Sequence, residues 1–225
     1  MKKTIALLLT LILSLGCAAL AEESAETAAP ASETADPAAP SSHILVAYFS
    51  RVGNTDFPED VDASSSASVI VTEDGGIVGN LGFMAEEIAS QTGGDLFLIQ
   101  TVETYPASYD ETLDVASDEQ AGNARPELAV GVENLGQYDT VFLGFPNWWG
   151  GLPMAVYTFL EENDLSGKTV IPFTSSGGGS FARAQSTLAE LLPDATLLEG
   201  LHVEDSAVTE SAAAIETWLD GLALE

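Results

Sequence analysis

Five apolar runs punctuate the chain, with amphipathic stretches between them. Residues 44–49, 95–99, 140–145 and 169–173 are apolar segments of strand length, and 196–201 is a weaker fifth. Continuous runs, as opposed to alternating ones, suit strands covered on both faces of a parallel sheet. Between them, Leu81, Met84, Ala85 and Ile88 repeat at helical spacing. So do Val156, Phe159 and Leu160, where Pro153 is well placed at a helix start, and Ala184, Leu188, Leu191 and Leu192. Val208, Ala212, Ile215 and Leu219 make a last helical face, with Asp205 or Ser206 as its cap. Strands alternating with helices predict a doubly wound α/β domain over residues 43–225. Two stretches depart from the pattern. Residues 56–78 read as an insertion with a small hairpin, where Ser68-Val69-Ile70-Val71 stands beside Asp74-Gly75-Gly76. Residues 104–135 read as a long, mostly helical crossover.

The first 42 residues have a different character. Lys2 and Lys3 precede an apolar stretch at 5–15 that is too short to span a bilayer comfortably, so residues 1–21 read as a bacterial signal peptide. Ala19-Leu20-Ala21 fits ordinary cleavage. Ser14-Leu15-Gly16-Cys17 resembles a lipobox in which Cys17 becomes the lipidated first residue, which would make the product a membrane-anchored lipoprotein instead of a secreted protein. Residues 22–42 consist largely of Ala, Glu, Pro, Ser and Thr, without Leu, Ile, Val or an aromatic residue, and read as a disordered linker.

Charge and cysteine usage narrow the chemistry. The chain carries 35 Asp+Glu against six Lys+Arg, a net charge of −29. Two of the six cations lie in the leader, which holds no acid, so the exported part would stand at −31. Such a field opposes nucleic acid and anionic membrane surfaces, and favours cationic partners. Any membrane contact would come through the lipid anchor. Cys17 is the single cysteine, so the domain has no disulfide, thiol nucleophile or thiolate metal site.

In open α/β sheets ligands bind beyond the carboxyl ends of the strands. Three loops there are unusual. Ser50-Arg51-Val52-Gly53-Asn54-Thr55 offers hydroxyl, amide and glycine positions suited to a phosphate, completed by the N–H groups of a helix. That helix begins only near Gly79-Asn80-Leu81, so the cradle is divided between the two segments. Pro146-Asn147-Trp148-Trp149-Gly150-Gly151 places two adjacent tryptophans in one loop. They cannot both face one core, and an exposed indole stacks well on a flat conjugated ring. Thr174-Ser175-Ser176-Gly177-Gly178-Gly179-Ser180 leaves backbone N–H groups open to a planar, hydrogen-bonding ligand. Each loop alone has an ordinary reading as a turn, and Trp148 alone as a packing residue. Their convergence on one end of the sheet is the argument.

At these residues the chain resembles the flavodoxin-like family, particularly its exported and quinone-reductase-like relatives. The resemblance is strongest in ILVAYFSRVGNT (residues 44–55) and in YDTVFLGFPNWWGGLPMAVYTFLEENDLSGKTVIPFTSSGGGS (residues 138–180). It implies a three-layer sandwich with five parallel strands in the order 2-1-3-4-5, and FMN as ligand. By it, Ser50, Asn54 and Thr55 match the phosphate loop, with Arg51 and Gly53 inside it and Asn80 competing for its later part. Pro146, Asn147, Trp148, Trp149 and Gly150 match the loop beside the isoalloxazine ring, with the Gly150 backbone a candidate partner for flavin N5. Ser175, Ser176, Gly177 and Gly178 match the pyrimidine edge. The implied chemistry is the cofactor's own redox chemistry, as electron transfer or as a flavin-dependent reductase outside the cytoplasm. Acidic surroundings disfavour an anionic reduced flavin and lower its potential. The partner could be NAD(P)H, a quinone or a redox protein. A Gly-x-Gly-x-x-Gly fingerprint after a strand is missing.

Other readings stay open at this point. A binding module on the same scaffold that has lost flavin is one, because the insertion splits the phosphate motif. A serine hydrolase using Ser180 with His202 fails the nucleophile-elbow pattern, since Ala182 stands where glycine is required. For His202 a strand-end polar residue is the plainer reading. A phosphorylated receiver needs an aspartate where the chain has Phe145-Pro146-Asn147. Glu161, Glu162 and Asp164 read as a solvated helix end and not as a metal site.

Overall fold

Successive side chains of β1, β5 and β6 bury on opposite faces of one sheet, and both faces are covered. The structure is a computed structural model that describes residues 43–58, 61, 68–72, 74, 76–222 and 224. The leader, Cys17 and the segment read as a linker lie outside the described residues. β1 (Ile44–Tyr48) is followed by an antiparallel hairpin of β2 (Val69–Val71) and β3 (Ile77–Gly79), then by α1 (Asn80–Thr92). Next come β4 (Asp95–Leu98), α2 (Tyr109–Gly122), β5 (Thr140–Pro146), α3 (Met154–Glu162), β6 (Thr169–Ser176) and α4 (Ala184–Leu191). Two short strands, β7 (Thr196–Leu197) and β8 (Leu201–Glu204), precede α5 (Ala212–Gly221).

The central sheet runs β4-β1-β5-β6-β7, with β8 also on β6, and every pair in it is parallel. With β7 and β8 taken as one edge, this is the flavodoxin-like order 2-1-3-4-5. Leu45, Ala47, Phe49, Val141, Leu143 and Val170 bury against α3 and α4, while Val46, Phe142, Ile171 and Phe173 bury against α1 and α5. On α1, Leu81, Met84, Ala85 and Ile88 fall on one face and are buried. Each of the larger three contributes about 1.5–3 kcal/mol through burial. Among the described residues no helix is long and apolar enough to cross a membrane.

Four elements differ from the sequence reading. The crossover is helical only over α2. Asn123 ends that helix in the left-handed region at φ 48°, and Pro126 cannot resume it. β6 runs three residues past Phe173, because Ser175 and Ser176 pair with Val203 and Glu204 of β8. The last helix starts at Ala212, and Asp205–Glu210 is a 3₁₀ turn, so Asp205 does not cap α5.

The fifth strand is broken in two. Between the pairs Val170–Leu197 and Phe173–Leu201, β6 advances three residues and the edge chain four, which is a bulge. Lys168 and Val170 present their carbonyls to this edge, accepting from Thr196 and Leu198. By alternation Pro172 faces the same edge, and its nitrogen has no hydrogen to give. Gly200 lets the bulged chain close over it, since a Cβ there would stand 2.5 Å from the Pro172 carbonyl oxygen. Gly200→Ala is expected to destabilise the domain by about 1–3 kcal/mol, read from a urea midpoint that falls with unchanged slope.

Candidate functional site

A cleft of about 440 Å³ opens at the carboxyl ends of β1, β5, β6 and β8, beside the start of α1 and one face of α2. Of the residues expected to bind a cofactor, Arg51, Asn80, Pro146, Asn147, Trp148, Trp149, Gly150, Ser175, Ser176, Gly177 and Gly178 line it. Ser50, Gly53, Asn54 and Thr55 do not.

The segment after β1 divides into scaffold and orphaned groups. Asn54 is fully buried. Its amide nitrogen donates to the carbonyls of Ser50 and Ile99 (2.9 and 3.0 Å), and its oxygen accepts from the backbone N–H of Thr101 (2.7 Å) and lies 3.0 Å from the Thr101 hydroxyl, whose one hydrogen is shared with the Glu103 carbonyl (2.7 Å). Both amide hydrogens of the side chain are used inside the fold, so no donor remains for a ligand. Gly53 packs against Leu98, and its carbonyl accepts from Gln100. In this structure these two positions hold the loop and do not line the cleft. The other three are buried without partners: the Ser50 hydroxyl, the Thr55 hydroxyl, and Nε and Nη1 of Arg51. Asn147 Oδ1, in the cleft wall, is orphaned too, although its amide nitrogen donates to the Ser180 carbonyl (2.7 Å).

Arg51 is 2% exposed. Nη2 donates to the carbonyls of Pro106 and Ala107 (3.0 and 2.9 Å), and the guanidinium lies over Phe57, 5.0 Å from the ring centroid. Burial pushes its pKa down, against a smaller opposing influence of Tyr109. Neither of the ion pairs found among the described residues involves it.

The two tryptophans part company. Trp148 points inward, edge-on to Phe49 and Tyr105 at 5.3 and 5.2 Å. Trp148 and Gly151 exchange both backbone hydrogen bonds (3.1 and 2.9 Å), which makes Trp149-Gly150 the two-residue tip of a tight turn. Both tip residues have positive φ, 49° and 74°, the condition for which Asn-Gly is the ordinary solution. Tryptophan there is strained by about 1–2 kcal/mol. Its indole is 52% exposed at the cleft rim and donates from Nε1 to the Leu113 carbonyl of α2 (3.1 Å). The Gly150 carbonyl accepts from the Arg183 backbone (3.1 Å), so its N–H is the group left for a ligand.

Asn80 and the residues after β6 form the third wall. The Asn80 amide and the Ser175 hydroxyl both donate to Oδ1 of Asp205 (3.3 and 2.6 Å). Ser176 Oγ stands 2.9 Å from His202 Nε2 and 3.0 Å from the Gly178 carbonyl. His202 therefore meets Ser176 and not Ser180. Burial raises the pKa of Asp205, opposed by its bonds to Ser175 and Asn80; Glu204 raises it further and His202 opposes. Glu161 is taken up by Arg125 in a two-pronged pair (2.7–2.8 Å). Sequence reasoning missed Asp205, read as a helix cap, and the α2 face of Tyr109, Thr112, Leu113 and Ala116. Asp205 could have been found as the first residue beyond the carboxyl end of the last strand. The α2 face carries no comparable signal.

Two outcomes are expected. Asn54→Ala leaves two carbonyls and one N–H unpaired in the interior and should lower stability by on the order of 3 kcal/mol in denaturant unfolding. Asp205 has a folded pKa above its unfolded one, so the folded state holds the proton more tightly. Its contribution is fully present below the ordinary aspartate range and is lost as pH rises through the folded value. Asp205→Asn should therefore melt above wild type at neutral pH, with the gap closing under acid in paired thermal melts.

Comparison with known proteins agrees with this architecture. The family model described as flavodoxin matches residues 76–222. The chain is 30% identical to a solved protein assigned as a flavoprotein from Bacteroides eggerthii, covering 81% of this chain and 98% of that one, with a TM-score of 0.57. It is 26% identical to another so assigned from Bacteroides uniformis, covering 80% of this chain and 99% of that one, with a TM-score of 0.59.

Proposed function

The chain belongs to the flavodoxin family, and on that premise we propose that its cleft holds flavin mononucleotide and that it works in electron transfer or as a flavin-dependent reductase outside the cytoplasm. The observation that carries this reading is the distribution of orphaned polar groups. Four of the five unpartnered buried side-chain atoms among the described residues belong to Ser50, Arg51 and Thr55. Buried polar groups are nearly always paired, and each orphan costs about 1–3 kcal/mol. Of these residues Arg51 lines the cleft, and its unpaired Nε and Nη1 donors suit a phosphate. The fifth orphan, Asn147 Oδ1, is an acceptor suited to a ring N–H.

The strained Trp149 supports the same reading from the ring end of the cleft. A position that favours asparagine and carries an exposed indole is explained by a flat partner for that indole. Bound flavin supplies one- or two-electron redox chemistry with its accompanying protons. The chain's part is to stack Trp149 on the ring, to accept from it at Asn147, and to offer the N–H groups of Gly150, Gly177 and Gly178 to its edge. Asp205 and the acidic surface oppose negative charge there, which lowers the reduction potential. The surface charge also repels an anionic dinucleotide, so a cationic redox protein or an uncharged quinone is the partner this reading favours over NAD(P)H. The location rests on the leader, with Cys17 as the point of lipid attachment.

A purified fragment spanning residues 43–225 should retain flavin bands through gel filtration after incubation with FMN. Trp149→Ala should weaken FMN about 10-fold by fluorescence titration while leaving the fold intact by circular dichroism. A wild-type fragment that stays colourless would favour a scaffold that has given up flavin.

A further inference from the structure

We infer that Asp205 is the acid–base group of the cleft: its carboxylate takes up a proton at Oδ2 when electrons enter and releases it when they leave. The inference rests on the flavin reading above and adds to it a side chain that moves a proton with the charge.

Asp205 is the only carboxyl among the described residues that line the cleft. It stands just beyond the carboxyl end of β8, half-buried, and its two oxygens are placed differently. Oδ1 accepts from the Ser175 hydroxyl (2.6 Å) and from the Asn80 amide (3.3 Å), and the same amide reaches Ser175 Oγ (3.4 Å). The three side chains close a triangle that fixes how the carboxyl is turned. Among the described residues no hydrogen bond reaches Oδ2. That oxygen lies beside Gly177, where an added Cβ would stand 3.5 Å from it, and Gly177 lines the same cleft. One oxygen is therefore held, and the other is open to a proton at the cleft wall.

The surroundings poise this group between its two states. Burial favours the protonated form and has the largest effect, while the bonds from Ser175 and Asn80 favour the carboxylate; Glu204 adds to the first and His202 to the second. The balance leaves its pKa above the ordinary value. The other titratable groups lining the cleft are Arg51 and Tyr109. Each electron delivered by the redox partner adds one negative charge to the cleft, and a like charge near a half-buried carboxylate favours its protonation. The carboxylate then binds one proton from solvent at Oδ2, with no bond to the cofactor made or broken. When the electron passes to its acceptor, the proton returns to solvent. Oδ1 remains an acceptor throughout, so the triangle with Ser175 and Asn80 survives both states. Linkage fixes the sign: the reduction potential falls as pH rises from the pKa of the oxidised state to the higher pKa of the reduced state.

The test counts protons taken up on electrochemical reduction of the full chain loaded with FMN, in weak buffer with an indicator dye, from about pH 4 to pH 8. Wild type is compared with Asp205→Asn, which keeps the acceptor for Ser175 and Asn80 and cannot titrate. Within a window that opens above the ordinary aspartate range, wild type should take up about one proton more per molecule than Asp205→Asn. Equal uptake by the two proteins overturns the inference and leaves the flavin reading intact. So does an excess that persists in Asp205→Asn and disappears in His202→Gln, which would assign the proton to the imidazole. If wild type binds no FMN, the flavin reading fails and the inference falls with it. If Asp205→Asn fails to fold or loses FMN, infrared difference spectra of protein carrying isotopically labelled aspartate decide. A protonated-carboxyl band that appears on reduction and shifts with the label in wild type, but not in Asp205→Glu, supports Asp205. A band that shifts in both, or no band at all, overturns it.

Discussion

The carboxamide of Asn54 is the group on which the ligand end of this domain depends. It is completely buried and ties the end of β1, through Ser50, to the chain leaving β4, through Ile99 and Thr101. Its two amide hydrogens and its oxygen are all engaged by groups of the two strand ends. Any other residue type would leave some of these bonds unmade inside a low-dielectric interior. Because the amide fixes these two strand ends, the backbone between them is held rigidly. The side chains of Ser50, Arg51 and Thr55 can then remain unpaired without collapsing onto each other. The scaffold and the binding groups are thus interleaved residue by residue along the same short loop.

That interleaving explains what could and could not be read from the sequence. The strand order and layers were legible because parallel strands buried on both faces leave continuous apolar runs, and helices leave their own period. The cleft was legible because Gly-rich and aromatic loops fell after consecutive strands. The division of labour inside the first loop was not. Residue type says that Asn54 can bind a ligand; only the position of Thr101, nearly fifty residues on, shows that its carboxamide is engaged inside the fold. Asp205 shows the converse. An acidic residue before a helical stretch reads as a cap, but the 3₁₀ turn at Asp205–Glu210 sends its carboxylate to Ser175 and Asn80. The break in the fifth strand was likewise invisible locally, because its cause, Pro172, sits on the neighbouring strand.

Two kinds of local cost accumulate around the cleft. Trp149 occupies a turn conformation that suits a smaller residue, and among the described residues no carboxylate forms an ion pair with Arg51. Both lie where a ring-and-phosphate ligand would relieve them, and the hydrophobic layers on either side of the sheet are otherwise conventional. Two of the domain's departures from ideal structure therefore meet at the cleft, as expected where binding competes with stability.

The bulge opposite Pro172 has a consequence for the protein's life among its own copies. An outer strand that ran unbroken from Thr196 to Glu204 would present a straight row of unpaired backbone groups, a template on which another molecule's strand could grow. Splitting it into pieces of two and four residues removes any stretch long enough to recruit one. Mutual repulsion between highly negative molecules slows their encounters, and the interrupted edge leaves little to grip when they meet. A folding defect imposed by one proline thus becomes a safeguard against self-association.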